Sequence, residues 1–306
     1  MDWVPRLFDF ADYGQLFALL VNSVIAGAVL GLVGGLVATF VIQRDLAFAV
    51  HGISELSFAG GAAGLLFGVG VVPGALLGSI LAAALIGVLG TRARRRNSVI
   101  GVLMPFGLGL GILFLSLYPG RTANKFGLLT GQIVAVDDPE LGVLIAICAV
   151  AVVGLLAIWR PLTFASLDPD VARARGVPTA GLSLMFMLLL GLAVAVSVQI
   201  VGSLLVLSIL VTPAAAAARL THSPIRMALL SMAFGLVSMV GGILLALGAS
   251  IPISPYVTTI SFAIYLIATG VGAIRRRSER QRLALRAAGE AARGADQAPL
   301  LATEVR

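Results

Sequence analysis

The amino-acid sequence predicts an all-α fold, a polytopic bundle of membrane-spanning helices with about nine crossings. Three observations predict it. Of 306 residues, 59% are hydrophobic and only 11% charged, where a soluble domain is about 25% charged. Apolar runs of the roughly 20 residues needed to cross about 30 Å of hydrocarbon recur along the chain. Basic residues gather in alternate connections between those runs, the pattern that orients helical membrane proteins.

The first run, Leu16–Ile42, carries Gly27, Gly31 and Gly35 four residues apart. Phe48–Val69 follows with Gly60, Gly64 and Gly68, and Val71–Gly90 with Gly74 and Gly78. Such small-residue stripes let helices approach closely in lipid and carry no substrate information. Ser98–Tyr118 starts after Arg92, Arg94, Arg95 and Arg96, and Glu140–Trp159 ends at Arg160. Ala180–Ile200, Gly202–Leu220, Met227–Ala249 and Tyr256–Ile274 complete the set. In Gly202–Leu220 Pro213 breaks the helix ahead of the alanine run Ala214–Ala218, which suits a kinked gate.

Nine crossings put the two termini on opposite faces. Of the 21 basic residues, all but Arg6, Arg121 and Lys125 fall on the face of the C-terminus, so the expected orientation is N-out, C-in. The outer face is net acidic through Asp2, Asp9, Asp12, Asp137, Asp138 and Glu140. The net charge of +7 therefore describes topology and not an affinity for nucleic acid. Residues 1–14 read as an interfacial segment without the apolar stretch of a cleavable signal peptide. Residues 15–277 form the transmembrane domain. Residues 278–306, an Ala/Arg/Glu tail, extend the last helix briefly and are expected to be disordered beyond Gly289.

Absences narrow the chemistry. There is no G-x-x-x-x-G-K-[ST] around Lys125, so the chain holds no P-loop. Two histidines, His51 and His222, rule out a three-histidine zinc site. No permanently bound cofactor and no enzymatic activity are expected. Glu55 is the one acid well inside the hydrocarbon, and it follows His51 by four residues, on the same helix face. An intramembrane carboxylate is costly unless paired or facing water, which makes it a site hypothesis, while a buried structural pair is the alternative. Carboxylate oxygen with imidazole nitrogen suits Mn, Fe or Zn. Thr163–Pro178 is a polar interlude on the basic face. There Asp168 can cap a short helix, Asp170 opens it, Arg173 and Arg175 follow, and Gly176 with Pro178 closes it.

The chain resembles, over nearly its full length, the permease subunit of bacterial ABC importers for manganese, zinc and iron. VGSLLVLSILVTPAAAAARL (Val201–Leu220) is similar to that family's signature, and LDPDVARARGVP (Leu167–Pro178) to its coupling segment. RDLAFAVHGISELSFAGGAAG (Arg44–Gly64) matches the second-span motif in spacing. The order is reversed, however: His51-x-x-x-Glu55 stands where the family has Asp-x-x-x-His. Asn97 and Gln132 stand where relatives carry acids, and Pro105 replaces a histidine of zinc-type members. The resemblance implies a multi-pass protein of the bacterial plasma membrane that pairs with a second permease copy. It also implies a separate ATP-binding cassette ATPase, docked through Asp168, Asp170, Arg173 and Gly176, and an extracytoplasmic metal-binding lipoprotein. A divalent metal ion is the implied substrate, passing His51 and Glu55, with Asn97 and Gln132 as weaker candidates and Pro213 as gate; a permease of the same family with a non-metal substrate, or a secondary transporter, is the alternative.

Overall fold

The computed structural model describes residues 20–89, 93–119, 136–247 and 252–303, and among them every regular element is helical. The helices are α1 (Val21–Gln43), α2 (Ala47–Leu66), α3 (Val71–Leu89), α4 (Ala93–Leu117) and α5 (Asp138–Leu167). After them come the short α6 (Pro169–Ala174), then α7 (Thr179–Val201), a 3-10 turn (Ser203–Leu205), α8 (Leu207–Leu210) and α9 (Thr212–Leu220). The chain ends with α10 (Pro224–Ala246) and α11 (Ile253–Thr303). Residues 1–14 and Gln132 lie outside the described residues.

Seven of these helices, rather than nine, are long and apolar enough to cross a membrane: α1, α3, α4, α5, α7, α10 and the first 23 residues of α11. Two expected crossings differ for separate reasons. α2 is long enough, but His51, Ser54, Glu55, Ser57 and its glycines dilute its hydropathy. Gly202–Leu220 is apolar enough but not one helix. Gly202 takes φ +85, which stops α7, and Val211 (φ −132, ψ −54) separates α8 from α9. Pro213 then sits in the first turn of α9, where its missing N–H costs nothing.

Two other ends depart from the expectation. α5 runs past Trp159 and through Pro161 to Leu167, because Leu155, Ile158, Leu162 and Ala165 keep one buried face in register. α11 continues as helical backbone to Thr303, where disorder was expected beyond Gly289; Ala, Arg, Glu and Leu are good helix formers.

α1 and α7 are the most enclosed spans, whereas α3, α4, α5 and α11 leave Leu77, Val102, Val153 and Ile267 exposed on their outer faces. In water that surface would not survive, but lipid covers it without cost. α1 crosses α10 with Gly31 against Gly235, so close that a β-carbon on Gly31 would stand 2.6 Å from a backbone oxygen. Ser231 Oγ donates to Gly35 O across the same crossing at 2.6 Å. α2 and α3 approach through Gly60, Gly64 and Gly74 in the same manner. Gly68 does not belong to that stripe: it lies in the turn after α2 with φ +73, and a β-carbon there would meet no neighbouring element. Phe40 of α1 lies edge-on to Trp159 of α5 and Phe186 of α7, with centroids at 4.8 and 5.8 Å.

Candidate functional site

α2 lies in the middle of the bundle, packed on α3, α4 and α7. Three features fix its rotation. Ser54 Oγ donates to Ser203 O at 2.7 Å, and Ser57 Oγ donates to Ala75 O at 3.1 Å. Gly107 of α4 lies against the backbone of Glu55 and Leu56. With the helix held so, Glu55 is only 3% exposed and His51 is 27% exposed. Their nearest atoms, His51 Nε2 and Glu55 Oε1, are 3.8 Å apart. His51 Nδ1 and Glu55 Oε2 are both buried without a hydrogen-bond partner.

A buried polar atom without a partner is expensive, and native folds keep few of them. Here two belong to one pair, and two more lie at or just before the turn that Ser54 touches. Gln199 Nε2 near the end of α7 and Ser203 Oγ in the 3-10 turn are likewise buried and unpartnered. The helix is unwound at that place, which leaves backbone carbonyls free of helical bonding. Sequence reading missed Ser54 and Ser203. The signal available was the Val201–Ser203 turn at a glycine, placed between two apolar runs.

Other candidates fall elsewhere. Asn97 is exposed near the start of α4 and makes no hydrogen bond to His51 or Glu55. Among the described residues no group of three or more His, Cys, Asp or Glu could hold a metal ion. Pro213 is buried at the α8–α9 break, and His222 is exposed in the turn before α10. Asn22 donates to Asp138 Oδ1 at 2.7 Å and to Val136 O at 3.2 Å, tying α1 to the start of α5.

The Thr163–Pro178 interlude resolves into the last turn of α5 and the exposed helix α6. Asp168 caps α6, accepting from the N–H groups of Asp170 (3.2 Å) and Val171 (3.0 Å). Pro169 starts it and Gly176 at φ +81 turns the chain away. Only Ala172 is buried. Arg173 reaches Asp170 at 3.4 Å, and Leu167 and Val171 add exposed apolar surface beside them.

A family model described as the ABC 3 transport family matches residues 16–272. The chain belongs to that family. It is a multi-pass membrane permease subunit of an ATP-binding cassette transporter, not its ATPase. The manganese import system permease protein ScaB of Streptococcus parasanguinis is 27% identical over 272 residues, 89% of this chain and 97% of that one. The manganese transport system membrane protein MntC of Listeria innocua is 33% identical over 234 residues, covering 76% and 81%. A chain in the structure of PsaBC from Streptococcus pneumoniae in complex with Fab superposes with a TM-score of 0.75 at 28% identity. That match covers 85% of this ABC-3 permease and 94% of the solved chain.

Proposed function

We propose that this permease carries a divalent transition metal ion, manganese first among them, into the cell along a path that passes His51 and Glu55. The observation that carries the reading is the buried His51–Glu55 pair, each residue with an unpartnered atom, in a family whose relatives ScaB and MntC are named for manganese. A carboxylate and an imidazole from one chain leave a cation half-coordinated. A second copy of the chain, facing the first, doubles the donors to two oxygen and two nitrogen ligands, a set that suits Mn, Fe or Zn.

The remaining assignments follow from charge and exposure. α2 and the broken stretch Gly202–Leu220 join the seven apolar spans in crossing, which restores nine and places the basic connections inside, N-out and C-in. α6 then projects into the cytoplasm, where Asp168, Asp170, Arg173 and Gly176 dock a separate ATPase subunit. An extracytoplasmic metal-binding lipoprotein delivers the ion to the acidic outer face. Pro213, where the helix cannot continue without a break, gives α9 freedom to move as ATP binding rocks the two copies.

The test is metal accumulation in a strain lacking this transporter and restored with the chain and its ATPase. Manganese uptake that excess zinc or iron competes away supports the reading. Restoration without any change in manganese, zinc or iron content overturns it.

A further inference from the structure

Away from His51 and Glu55, two arginines come together with no carboxylate in direct contact among the described residues. The end of α1, the start of α4 and the last turn of α5 meet around Arg44 and Arg96. Arg44 Nη1 donates to Ser166 Oγ at 3.3 Å, and Arg96 Nη2 donates to the backbone oxygen of Asp45 at 3.1 Å. Both side chains are half-buried. The ion pairs among the described residues are His51–Glu55 and Arg173–Asp170, so neither guanidinium has a carboxylate in contact. Asp45 attracts Arg96 from beyond ion-pair distance, whereas Arg44 feels the repulsion of Arg96. Burial and that repulsion hold Arg44 below its ordinary value. Arg96 Nε is buried and has no acceptor.

The helix adds to the excess. The first turn of α4 contains Arg94, Arg95 and Arg96 and no acid. Helix N-termini are positive ends that favour Asp or Glu, so three arginines there invert the usual preference. Two buried-side guanidiniums, an orphan N–H and a helix N-terminus all ask for an anion with several acceptor oxygens. A tetrahedral phosphate matches the fork of N–H donors that arginine presents. The location narrows the source. Arg44 directly follows span α1, Arg96 begins the apolar stretch of α4, and Ser166 closes α5. Three span ends at one depth mark the headgroup layer, where basic clusters beside spans hold anionic lipids.

We infer that Arg44 and Arg96 form a binding site for the phosphate of an anionic membrane phospholipid. The bound headgroup braces the α1–α2 turn against the end of α5. That turn leads into the helix of His51 and Glu55, while Ser166 lies just ahead of the Asp168 cap. The lipid thus sits between the docking segment and the transport helix.

The test uses the full-length chain in nanodiscs of phosphatidylcholine alone, of phosphatidylcholine with phosphatidylglycerol, and of phosphatidylcholine with inorganic phosphate in the buffer. Native mass spectrometry counts retained lipid and a thermal melt reads stability. The wild type is expected to retain phosphatidylglycerol and to melt higher with it, and with inorganic phosphate to show neither gain. Arg44→Gln and Arg96→Gln each cut retention about fivefold, the Arg44→Lys/Arg96→Lys double variant keeps an intermediate level, and Arg160→Gln changes nothing. A wild type that keeps phosphatidylglycerol no better than phosphatidylcholine overturns the inference, whether or not the variants fold. So does equal stabilisation by inorganic phosphate, which assigns the site to a soluble anion, and so does undiminished retention in both glutamine variants.

Discussion

Two acid–base pairs, each spanning about one helical turn, set the terms for this molecule. His51–Glu55 on α2 and Asp170–Arg173 on α6 have the same backbone logic, spaced four and three residues apart. Their surroundings are opposite. Glu55 is 3% exposed and has an unpartnered oxygen, whereas the Asp170 and Arg173 side chains are 88% and 67% exposed. Solvent already satisfies the second pair, and such surface pairs contribute about 0–1 kcal/mol. Among the described residues, His51 Nδ1 and Glu55 Oε2 have no hydrogen-bond partner, which is costly for buried polar atoms. The same kind of spacing is therefore largely enclosed in one place and solvated in the other.

The largest effect is expected at His51. His51→Ala should lower cellular manganese accumulation by at least on the order of 100-fold, since even outer-shell partners of metal ligands cost about 10–100-fold. Combined with Glu55→Ala, the loss should be no larger, because both donors serve one ion; additive losses would mean two separate roles. Asp168→Ala comes next. Removing the cap of α6 costs about 1 kcal/mol locally and should reduce transport-coupled ATPase activity several-fold while metal binding stays intact. Equal coupling in the variant would remove α6 from the docking surface.

Ser54→Ala probes what holds α2 in place. Losing the bond to Ser203 O should cost about 1 kcal/mol of thermal stability and lower uptake a few-fold, read from melts and flux on the same preparation. The smallest effect belongs to the exposed pair: Arg173→Ala should shift stability by less than about 0.5 kcal/mol. A shift above 1 kcal/mol in the isolated permease would show that α6 is part of the fold and not a projecting surface.

Much of this was legible from residue order alone. Apolar length gave α1, α3, α4, α5, α7, α10 and the start of α11, and the i, i+4 spacing placed Glu55 beside His51. Asp168 as a cap and Gly176 as a left-handed turn followed from local chemistry. Hydropathy failed where backbone conformation overrides composition. The stretch Gly202–Leu220 is as apolar as a span, but Gly202 and Val211 break its helix twice. Non-local contacts were equally out of reach. Ser54 finds Ser203 across 149 positions, and Arg44 finds Ser166 across 122, distances along the chain that no periodicity encodes. Gly68 looked like the next member of a packing stripe because spacing does not reveal where α2 stops.

The most direct test of the central claim is manganese flux in proteoliposomes holding the assembled permease and ATPase, comparing the wild type with Glu55→Ala. The account predicts that the variant assembles and hydrolyses ATP, yet moves no manganese above the rate of empty liposomes. Wild-type manganese flux through the Glu55→Ala complex would contradict it, and would leave His51–Glu55 as a structural pair.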